Sequence, residues 1–283
     1  MKKTLPKTIA WCNGEWRPID QFSIPIQDRG ARLGDGIFET VLILKGETQL
    51  LKEHIDRWHR SASILHMQQP PTEAWLKPLI KSGLNQIYLN NKNGSLRLNW
   101  TRGDNKANGI NIVDDQLEAS NHRFWLEINC REPNFNTVTT LISSHERRNV
   151  NSLINQCKTF SYAQSIQARF EAKDNGYDDA LLLSTNGDLA CSTTANIIIK
   201  RNNEFLTPPL DSGCLPGIMR QQGLNKGLIK EANLKAMPEE NDEWLLVNSL
   251  SCKPISLIND MPIKTTSDPC QLWMSLLGSK YSH

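Results

Sequence analysis

One stretch of the chain, Lys158–Arg220, constrains the fold more than any other. It begins with CKTFSYAQ, continues through GYDDALLLSTNGDLACSTTANIII and ends with LTPPLDSGCLPGIMRQ. The middle part predicts two strands joined by a turn at Asn186–Gly187, because Asn-Gly between β-rich runs is a strong hairpin signal. The last part predicts a Pro-Gly loop that opens a helix near Gly217. The stretch therefore predicts strand, turn, strand, loop and helix in that order.

Size and charge exclude several classes of protein. The chain has 283 residues, with 32 basic and 30 acidic side chains, so bulk charge does not favour nucleic acid or a membrane surface as a partner. No apolar run approaches the ~20 residues of a membrane span. The N-terminus, MKKTLPKTIAW, lacks the apolar core of a signal peptide, and we expect it to be retained. The length suits one large or two modest domains.

The cysteines indicate neither a metal site nor a disulfide framework. They are odd in number, scattered and without CxxC spacing. Reduced thiols in a cytoplasmic protein are the expectation. The seven positions are Cys12, Cys130, Cys157, Cys191, Cys214, Cys252 and Cys270.

The first part of the chain predicts a small α+β domain. Two short strands flank Asn13–Gly14, IFETVLIL is a β-rich run, and SLRLNWTRG alternates in period two as a strand does. LKEHIDRWHRSASILHM has bulky residues at helical spacing, and PTEAWLKPLIKSGLNQIYL predicts a second helix. The polar segment GDNKANGINIVDDQLEASN then marks a boundary near residue 118. We expect domains at 1–118 and 119–283.

The second domain is expected to be larger, β-rich and closed into a pseudo-barrel with helices. It is predicted to begin with the strand HRFWLEINC, followed by the strand TVTTLISSH. SYAQSIQARFEAKDNG predicts a helix that ends at Gly176, and CQLWMSLLGSKYSH predicts a short amphipathic helix at the C-terminus.

Lys158 is the candidate for covalent chemistry. Most lysines are solvated surface residues, but this one lies between Cys157 and TFSYA in an apolar, lightly charged sequence. A lysine near a helix N-terminus that can bind phosphate provides the two groups that a pyridoxal 5′-phosphate site requires at minimum. The amine forms a Schiff base with the cofactor, and backbone N–H groups bind its phosphate.

Four collinear motifs resemble the class IV aminotransferase family, a group of two-domain, fold-type IV enzymes. QDRGARLGDGIFET resembles the segment that lines the cofactor pocket, and RRNVNSLINQCK resembles the approach to the catalytic lysine. TPPLDSGCLPGIMR resembles the phosphate loop, and NSLSCKPI resembles the last phosphate-binding turn. The resemblance covers residues 28 to 258, and the order of the motifs makes it specific.

The resemblance implies a role for each matching residue. Lys158 is expected to hold pyridoxal phosphate and to act as the general base, and Arg57 is expected to bind the phosphate. It implies a small amino compound as substrate, a homodimer and no metal. The further residues that it implies for cofactor binding are Cys191, Thr193, Asn196, Gly217, Ile218, Met219, Ser249 and Leu250.

Cys191 is the main departure from the family pattern. The family has a glutamate at this position, and that glutamate contacts the pyridine nitrogen of the cofactor. A neutral thiol cannot stabilise a pyridinium as a carboxylate does, although a thiolate beside a cation could do so in part. The substitution favours elimination over transamination, because transamination depends more on a strong electron sink.

The residues that bind the substrate carboxylate are less clearly marked. The loop after Thr101-Arg102-Gly103 lacks the arginine that many relatives carry, and Ala107 stands there instead; Leu42 likewise replaces a common arginine. The remaining cations are Arg97, Arg102 and Lys106, and the strand residue Thr40 is a further candidate for substrate contact.

Three functions remain open from the sequence. The leading hypothesis is the family's 4-amino-4-deoxychorismate lyase branch, which releases pyruvate and 4-aminobenzoate for folate synthesis. The alternative is an aminotransferase of the branched-chain or D-amino-acid type. The third hypothesis is a protein that binds the cofactor without catalysing a reaction.

Overall fold

The computed structural model describes residues 7–104, 106, 108–113 and 118–278. These residues form two compact units. Unit 1 contains the described residues up to Glu132 together with the segment Cys157–Ser161, and unit 2 contains Pro133–Gln156 and the described residues from Tyr162 onward. Each unit has its own sheet. The predicted α+β class is therefore confirmed, and the described residues form two sheets. Within the described ranges, no helix is both long enough and apolar enough to cross a membrane.

Unit 1 is an antiparallel sheet with helices packed against one side. Its strands, in the order β2-β1-β6-β5-β3-β4, are β1 (Thr8–Cys12), β2 (Glu15–Pro18), β3 (Gly36–Leu44), β4 (Glu47–Thr48), β5 (Gly94–Thr101) and β6 (Arg123–Cys130). Its helices are α1 (Arg29–Leu33), α2 (Leu51–Ile64) and α3 (Glu73–Gln86), with 3-10 turns at Ile19–Gln21 and Ala119–Asn121.

Alternation along β3 decides what each face of this sheet carries. Ile37, Val41 and Ile43 belong to the core that α2 and α3 cover, together with Trp58 and Leu76. Because side chains alternate along a strand, the residues between them point to the other face. The predicted hairpin at Asn13–Gly14 is confirmed, and both residues have the positive φ that its tight turn requires.

The segment Cys157–Ser161 extends the sheet of unit 1. β4 pairs with the end of β3, and the first half of β3 pairs with this segment. The Phe38 N–H donates to the Lys158 carbonyl at 2.9 Å, and the Phe160 N–H donates to the Gly36 carbonyl at 2.9 Å. A strand-like segment remote in sequence therefore places Lys158 beside β3.

Unit 2 has a nine-stranded sheet with helices. Its strands are β7 (Val138–Arg148), β8 (Asp179–Ser184), β9 (Leu189–Ser192), β10 (Asn196–Arg201), β11 (Glu204–Thr207), β12 (Lys230–Glu231), β13 (Glu243–Asn248), β14 (Ser251–Ile258) and β15 (Met261–Pro262). Its helices are α4 (Ala163–Asp174), α5 (Ile218–Asn225) and α6 (Pro269–Leu277), with 3-10 turns at Leu153–Gln156 and Leu210–Ser212. The strand order is β12-β11-β10-β13-β14-β7-β8-β9, and β15 pairs with β14.

The division between the units differs from the boundary expected near residue 118. The strand predicted to open the second domain is β6, and β6 pairs with both β1 and β5 in the sheet of unit 1. Unit 2 therefore begins at Pro133. The described residues of the polar segment before β6 also belong to unit 1.

Candidate active site

Lys158 lies on the side of the unit 1 sheet that faces away from α2 and α3. Its Nζ is 4.4 Å from the centroid of the Phe38 ring, and the Arg97 guanidinium carbon is 3.6 Å from the same centroid. The Phe160 ring packs 5.9 Å from the Phe38 ring. One aromatic side chain of β3 therefore contacts two cations, and cations are attracted to ring faces.

Strand register brings further side chains to the same face. Thr40, Arg97 and Glu127 are directly opposite one another across β3, β5 and β6, and Phe38, Asn99 and Trp125 form the next row. Directly paired residues point to the same side of a sheet. We call this surface the lysine face; its residues are Phe38, Thr40, Arg97, Asn99, Trp125, Glu127, Lys158 and Phe160. The structure thus places three predicted residues, Lys158, Arg97 and Thr40, on one face.

Arg57 lies on the other side of the sheet in a buried ionic group. Its Nε donates to Glu39 Oε1 at 2.8 Å and its Nη2 donates to Glu39 Oε2 at 2.6 Å. His54 Nδ1 is 2.7 Å from Glu39 Oε2. Burial raises the pKa of Glu39, but Arg57 and His54 outweigh that effect and lower the pKa to about 2. The carboxylate is therefore charged and fixes the plane of the guanidinium.

His54 completes this group as a neutral ring. Burial lowers the pKa of His54 more than its contact with Glu39 raises it. At neutral pH the ring therefore carries one proton, and the short contact to Glu39 assigns that proton to Nδ1. The sequence suggested no partner for His54, whereas the structure buries it between α2 and β3.

In unit 2, the start of α5 provides the candidate phosphate site. No side chain caps Gly217, the residue before the helix, and first-turn N–H groups such as those of Ile218 and Met219 have no partner within a helix. Asn196 Nδ2 donates to the Leu215 carbonyl at 2.9 Å. A Cβ added at Gly217 would lie 1.8 Å from Asn196 Oδ1, so only glycine fits this close approach.

The turn at Ser249–Leu250 lies at the same end of the sheet. Asn196 opens β10 opposite Val247 of β13, which places the end of β13 beside the start of β10. The Leu250 N–H, however, donates to Asn248 Oδ1 at 2.9 Å and is used within the turn. Asn248 thus shapes this turn by binding the Leu250 N–H.

Cys191 is held by an arginine. It lies on β9 opposite Leu182, and Arg148 Nε donates to its Sγ at 3.3 Å. The rest of the guanidinium donates to Gln164 Oε1 at 2.8 Å and Ser165 Oγ at 3.1 Å. Burial lowers the pKa of Arg148, but its contact with Cys191 raises it above the ordinary value. The thiol therefore faces a permanent positive charge.

The Thr193 side chain has partners of its own. Its hydroxyl donates to Asp179 Oδ1 at 2.6 Å and accepts from Arg169 Nε at 3.1 Å. Burial raises the pKa of Asp179, and Arg169 and Thr193 oppose that effect only in part. Because this network occupies the hydroxyl, Thr193 can contribute to a cofactor site mainly by fixing the loop between β9 and β10.

The remaining predicted cations differ in position. Arg102 is buried, its Nε donates to Asp35 at 3.0 Å, and its Nη atoms donate to the carbonyls of His66 and Leu65 at 2.9 and 2.8 Å. Arg102 therefore stabilises the loops of unit 1 and does not lie on the lysine face. Lys106 is exposed and donates to Asn121 at 3.0 Å. Ala107 lies outside the described residues.

Three site residues escaped the sequence-based prediction. Glu39 lies inside the motif FET, at a core-facing position of β3, and a buried carboxylate requires a partner; this signal could have pointed to the helix that carries Arg57. Asn248 and Glu127 gave no comparable signal, because their roles depend on turn geometry and on strand pairing. In the described part of the chain, no cluster of His, Cys, Asp or Glu could hold a metal ion.

Comparisons with known sequences all point to one family of aminotransferases. The profile of the family described as "Amino-transferase class IV" matches residues 36–258. The chain is 28% identical over 234 residues to a putative branched-chain-amino-acid aminotransferase of Methanocaldococcus jannaschii, covering 81% of this chain and 77% of that protein. It is 26% identical over 249 residues to a D-alanine aminotransferase of Listeria monocytogenes, with coverages of 85% and 84%.

A longer relative matches over part of its length. Branched-chain-amino-acid aminotransferase-like protein 2 of Arabidopsis thaliana is 26% identical over 222 residues, which is 76% of this chain and 38% of that protein. The chain therefore corresponds to well under half of this relative.

Solved structures share the fold. A fold IV transaminase of Curtobacterium pusillum superposes with a TM-score of 0.80 at 20% identity, covering 96% of this chain and 98% of that chain. A hypothetical aminotransferase of Mycobacterium tuberculosis in its pyridoxal phosphate-bound form gives 0.76 at 19% identity, with coverages of 96% and 97%.

Proposed function

Because this chain belongs to the class IV aminotransferase family, we propose that it is an aminotransferase that takes the amino group of an amino acid. It is an enzyme of a family whose cofactor is pyridoxal phosphate. The observation that carries the proposal is the position of Lys158, whose amine contacts Phe38 on the same sheet face as Arg97. The amine proposed to hold the cofactor and the cation proposed to bind a substrate carboxylate thus lie on one face.

Both units carry residues that suit this cofactor. In unit 1 the candidate is the primary amine of Lys158. In unit 2 it is the start of α5, where no side chain caps Gly217 and a Cβ at that position would clash with Asn196. When bound, pyridoxal phosphate supplies an aldehyde that bonds to amines and a ring that accepts electrons from the substrate Cα.

The protein's own groups then bind, orient and move protons. Lys158 Nζ would hold the cofactor, and its free amine would take the proton from the substrate Cα as general base. Phe38 limits the positions that Nζ can adopt and keeps water from one side of it. Arg97, which stacks on Phe38 and donates to Asn99 Oδ1 at 2.8 Å, presents a fixed guanidinium to a substrate carboxylate.

The phosphate-binding groups are proposed in two sets. In unit 2, the first-turn N–H groups of Ile218 and Met219 would donate to the phosphate, while Asn196 fixes Gly217 and Ser249 adds a donor. In unit 1, Arg57 would act on the phosphate through its charge rather than by direct contact, because it lies across the sheet from Lys158 and makes two hydrogen bonds to Glu39.

A product assay tests the proposal. Cofactor-loaded protein would be incubated with single L- and D-amino acids and 2-oxoglutarate, and the new keto acid identified by mass spectrometry. We expect a keto acid from at least one amino acid, and no product from Lys158→Ala. Absence of any keto acid across the panel, with the cofactor bound, would refute the aminotransferase.

The lyase is the second candidate, and Cys191 favours it. A thiol held by Arg148 at 3.3 Å replaces the carboxylate expected at the pyridine nitrogen, so the electron sink is weaker, and elimination tolerates this better than transamination does. Pyruvate release from 4-amino-4-deoxychorismate, abolished in Lys158→Ala, would establish the lyase and displace our first proposal.

We also propose a cytoplasmic homodimer. The family resemblance supports the dimer, and the seven unpaired cysteines fit a reducing compartment. Light scattering on the 32.1-kDa chain should give twice that mass.

A further inference from the structure

We infer that Trp273 of helix α6 positions the turn at Ser249–Leu250 for the phosphate of the cofactor. The inference rests on the proposed function, because it concerns the phosphate groups proposed there. Trp273 Nε1 donates to the Asn248 carbonyl at 3.0 Å, and both residues belong to unit 2. Trp273 is 1% exposed, and a hydrogen bond in so buried a place is stronger than one in water. Helix α6 therefore fixes the residue that precedes the turn.

Asn248 transmits this contact to its surroundings. Its Oδ1 accepts from the Leu250 N–H at 2.9 Å and from Ser251 Oγ at 3.0 Å, and its Nδ2 donates to the Thr194 carbonyl at 3.4 Å. The backbone of Asn248 is thus held by α6, while its side chain holds the turn and the loop between β9 and β10. Movement of Asn248 away from α6 would displace the turn.

The indole ring of Trp273 is oriented by a residue next to the partner of the turn. The Phe135 ring packs edge to face against it, with centroids 5.4 Å apart and planes at 79°. The neighbouring Asn134 donates from its N–H to the Leu250 carbonyl at 3.1 Å, and its carbonyl accepts from the Cys252 N–H at 3.2 Å. The segment that orients the indole is therefore hydrogen-bonded to the turn that the indole positions.

Helix α6 also contacts α5, whose first turn carries the other proposed phosphate donors. Lys226, the residue after α5, donates from Nζ to the Ser275 and Leu276 carbonyls at 3.1 and 2.6 Å. A cation is favourable at these carbonyls because they lie at the C-terminal end of a helix. A Cβ added at Gly223 would lie 3.0 Å from Leu276 Cδ2, so the two helices approach closely. Helix α6 therefore holds both elements of unit 2 that are proposed to bind phosphate.

A positioning role for the phosphate differs from a general structural role in the ligands that it affects. Donors that bind phosphate oxygens must lie within about 2.7–3.2 Å of them, so a displaced turn weakens only ligands that carry a phosphate. Pyridoxamine 5′-phosphate and pyridoxamine are a matched pair, because they differ only in that group. Neither has an aldehyde, so their binding does not depend on a Schiff base with Lys158.

The test compares the affinities of these two ligands by fluorescence titration of cofactor-free protein. Trp273→Phe removes the indole N–H and keeps an aromatic ring. We expect it to raise the Kd of pyridoxamine 5′-phosphate by about fivefold, as loss of one hydrogen bond does, and to leave the Kd of pyridoxamine within about twofold. Trp244→Phe is the control. It also removes a buried indole N–H, which donates to Asp242 at 3.2 Å near the other end of β13, and it should not change the ratio of the two Kd values.

The outcomes separate this inference from the proposed function. A loss in Trp273→Phe that is confined to the phosphate-bearing ligand supports the inference, even if no amino acid is turned over and the aminotransferase is refuted. Equal losses for the two ligands, or no loss, overturn it. A parent protein that binds the two ligands equally overturns both the inference and the proposed phosphate site.

A second variant decides the question if Trp273→Phe does not fold. Lys226→Gln removes an exposed contact between α5 and α6, and it should weaken pyridoxamine 5′-phosphate selectively by about twofold. Lys230→Gln changes another exposed lysine of unit 2 and should have no such effect. Absence of a selective loss in Lys226→Gln would then overturn the inference.

Discussion

At the scale of the residue, Glu39 is the most consequential buried charge of unit 1. It accepts two hydrogen bonds from Arg57 and lies 2.7 Å from His54 Nδ1. Removing one partner of a buried ion pair leaves the other charge uncompensated and costs about 3–5 kcal/mol. We therefore expect Glu39→Gln to lower the free energy of unfolding at pH 7 by about that amount, measured by urea denaturation. Glu15→Gln, which removes an exposed partner of Arg17, should cost less than about 1 kcal/mol.

The pH dependence of this difference follows from the Glu39 pKa. In the folded protein this pKa is lowered from 4.5 to about 2, because Arg57 and His54 outweigh the effect of burial. The unfolded chain therefore binds the proton first as pH falls. The stability that Glu39 contributes is complete above pH 4.5 and is lost as pH falls toward 2. The difference in free energy of unfolding between the parent protein and Glu39→Gln should therefore decrease as pH falls through that interval. A difference that does not change with pH would contradict the pairing of Glu39 with Arg57 and His54.

Cys191 supports a test of the electron sink. Cys191→Glu restores the carboxylate of the family pattern beside Arg148, whose Nε is 3.3 Å from the thiol. We expect the absorbance of the bound cofactor to shift and transamination to become faster by about tenfold or more, since electrostatic groups at a reacting centre change rates on that scale. Cys191→Ser, which adds no charge, is the control. An unchanged spectrum and unchanged rate would show that position 191 does not face the cofactor.

The sequence predicts single residues of the candidate site where a motif marks them. The lysine, the phosphate loop and the departure at Cys191 were all visible in the printed order of residues. The partners of those residues were not. Glu39 depends on a helix 18 residues away in the chain, as its bond to Arg57 shows, and the Thr193 network depends on Asp179 and Arg169. Tertiary packing determines which residues become such partners, and the local sequence does not encode it.

At the scale of the element, the approach of Asn196 to Gly217 controls the start of α5. A Cβ at Gly217 would lie 1.8 Å from Asn196 Oδ1, and its φ of −66° suits any residue, so the effect of Gly217→Ala is purely the clash. We expect Gly217→Ala to weaken pyridoxal phosphate binding by about tenfold, because residues in direct contact couple by about 0.5–3 kcal/mol. Asn196→Ala removes the clashing oxygen, so adding Gly217→Ala to it should cost little more. The affinity for pyridoxal phosphate would be measured by cofactor fluorescence for the parent, both single variants and the double variant. If the losses of affinity in the two single variants simply add in the double variant, the proposed contact is refuted.

Most elements could be predicted because their signals are local. Helix α2 follows from apolar spacing, β3 from its β-rich run, β5 from alternation and the hairpin of β8 and β9 from Asn186–Gly187, and α3 was predicted as the second helix. Helix α1 was not predicted: it is one turn long, and it depends on Asp28, which accepts from the N–H groups of Gly30 and Ala31. The pairing of Cys157–Ser161 with β3 was also missed, since pairing between remote segments leaves no periodic signal.

At the scale of the whole molecule, the α+β class could be predicted from the sequence, whereas the unit to which β6 belongs could not. β6 has the alternation of a strand in either unit, and only its pairing with β1 and β5 assigns it to unit 1. The segment Cys157–Ser161 likewise belongs to unit 1 because it pairs with β3 of that unit's sheet. As a result, the proposed cofactor lysine belongs to the unit whose sheet carries Arg97, while the candidate phosphate loop belongs to the other unit.

The most direct test of the account is to find which lysine carries the cofactor. Protein loaded with pyridoxal phosphate would be reduced with borohydride, digested and mapped by mass spectrometry. We predict one phosphopyridoxyl group per chain, on Lys158, and none on that peptide position in Lys158→Ala. A label on any other lysine, or a loaded protein that carries no label, would contradict the assignment of the lysine face as the active site.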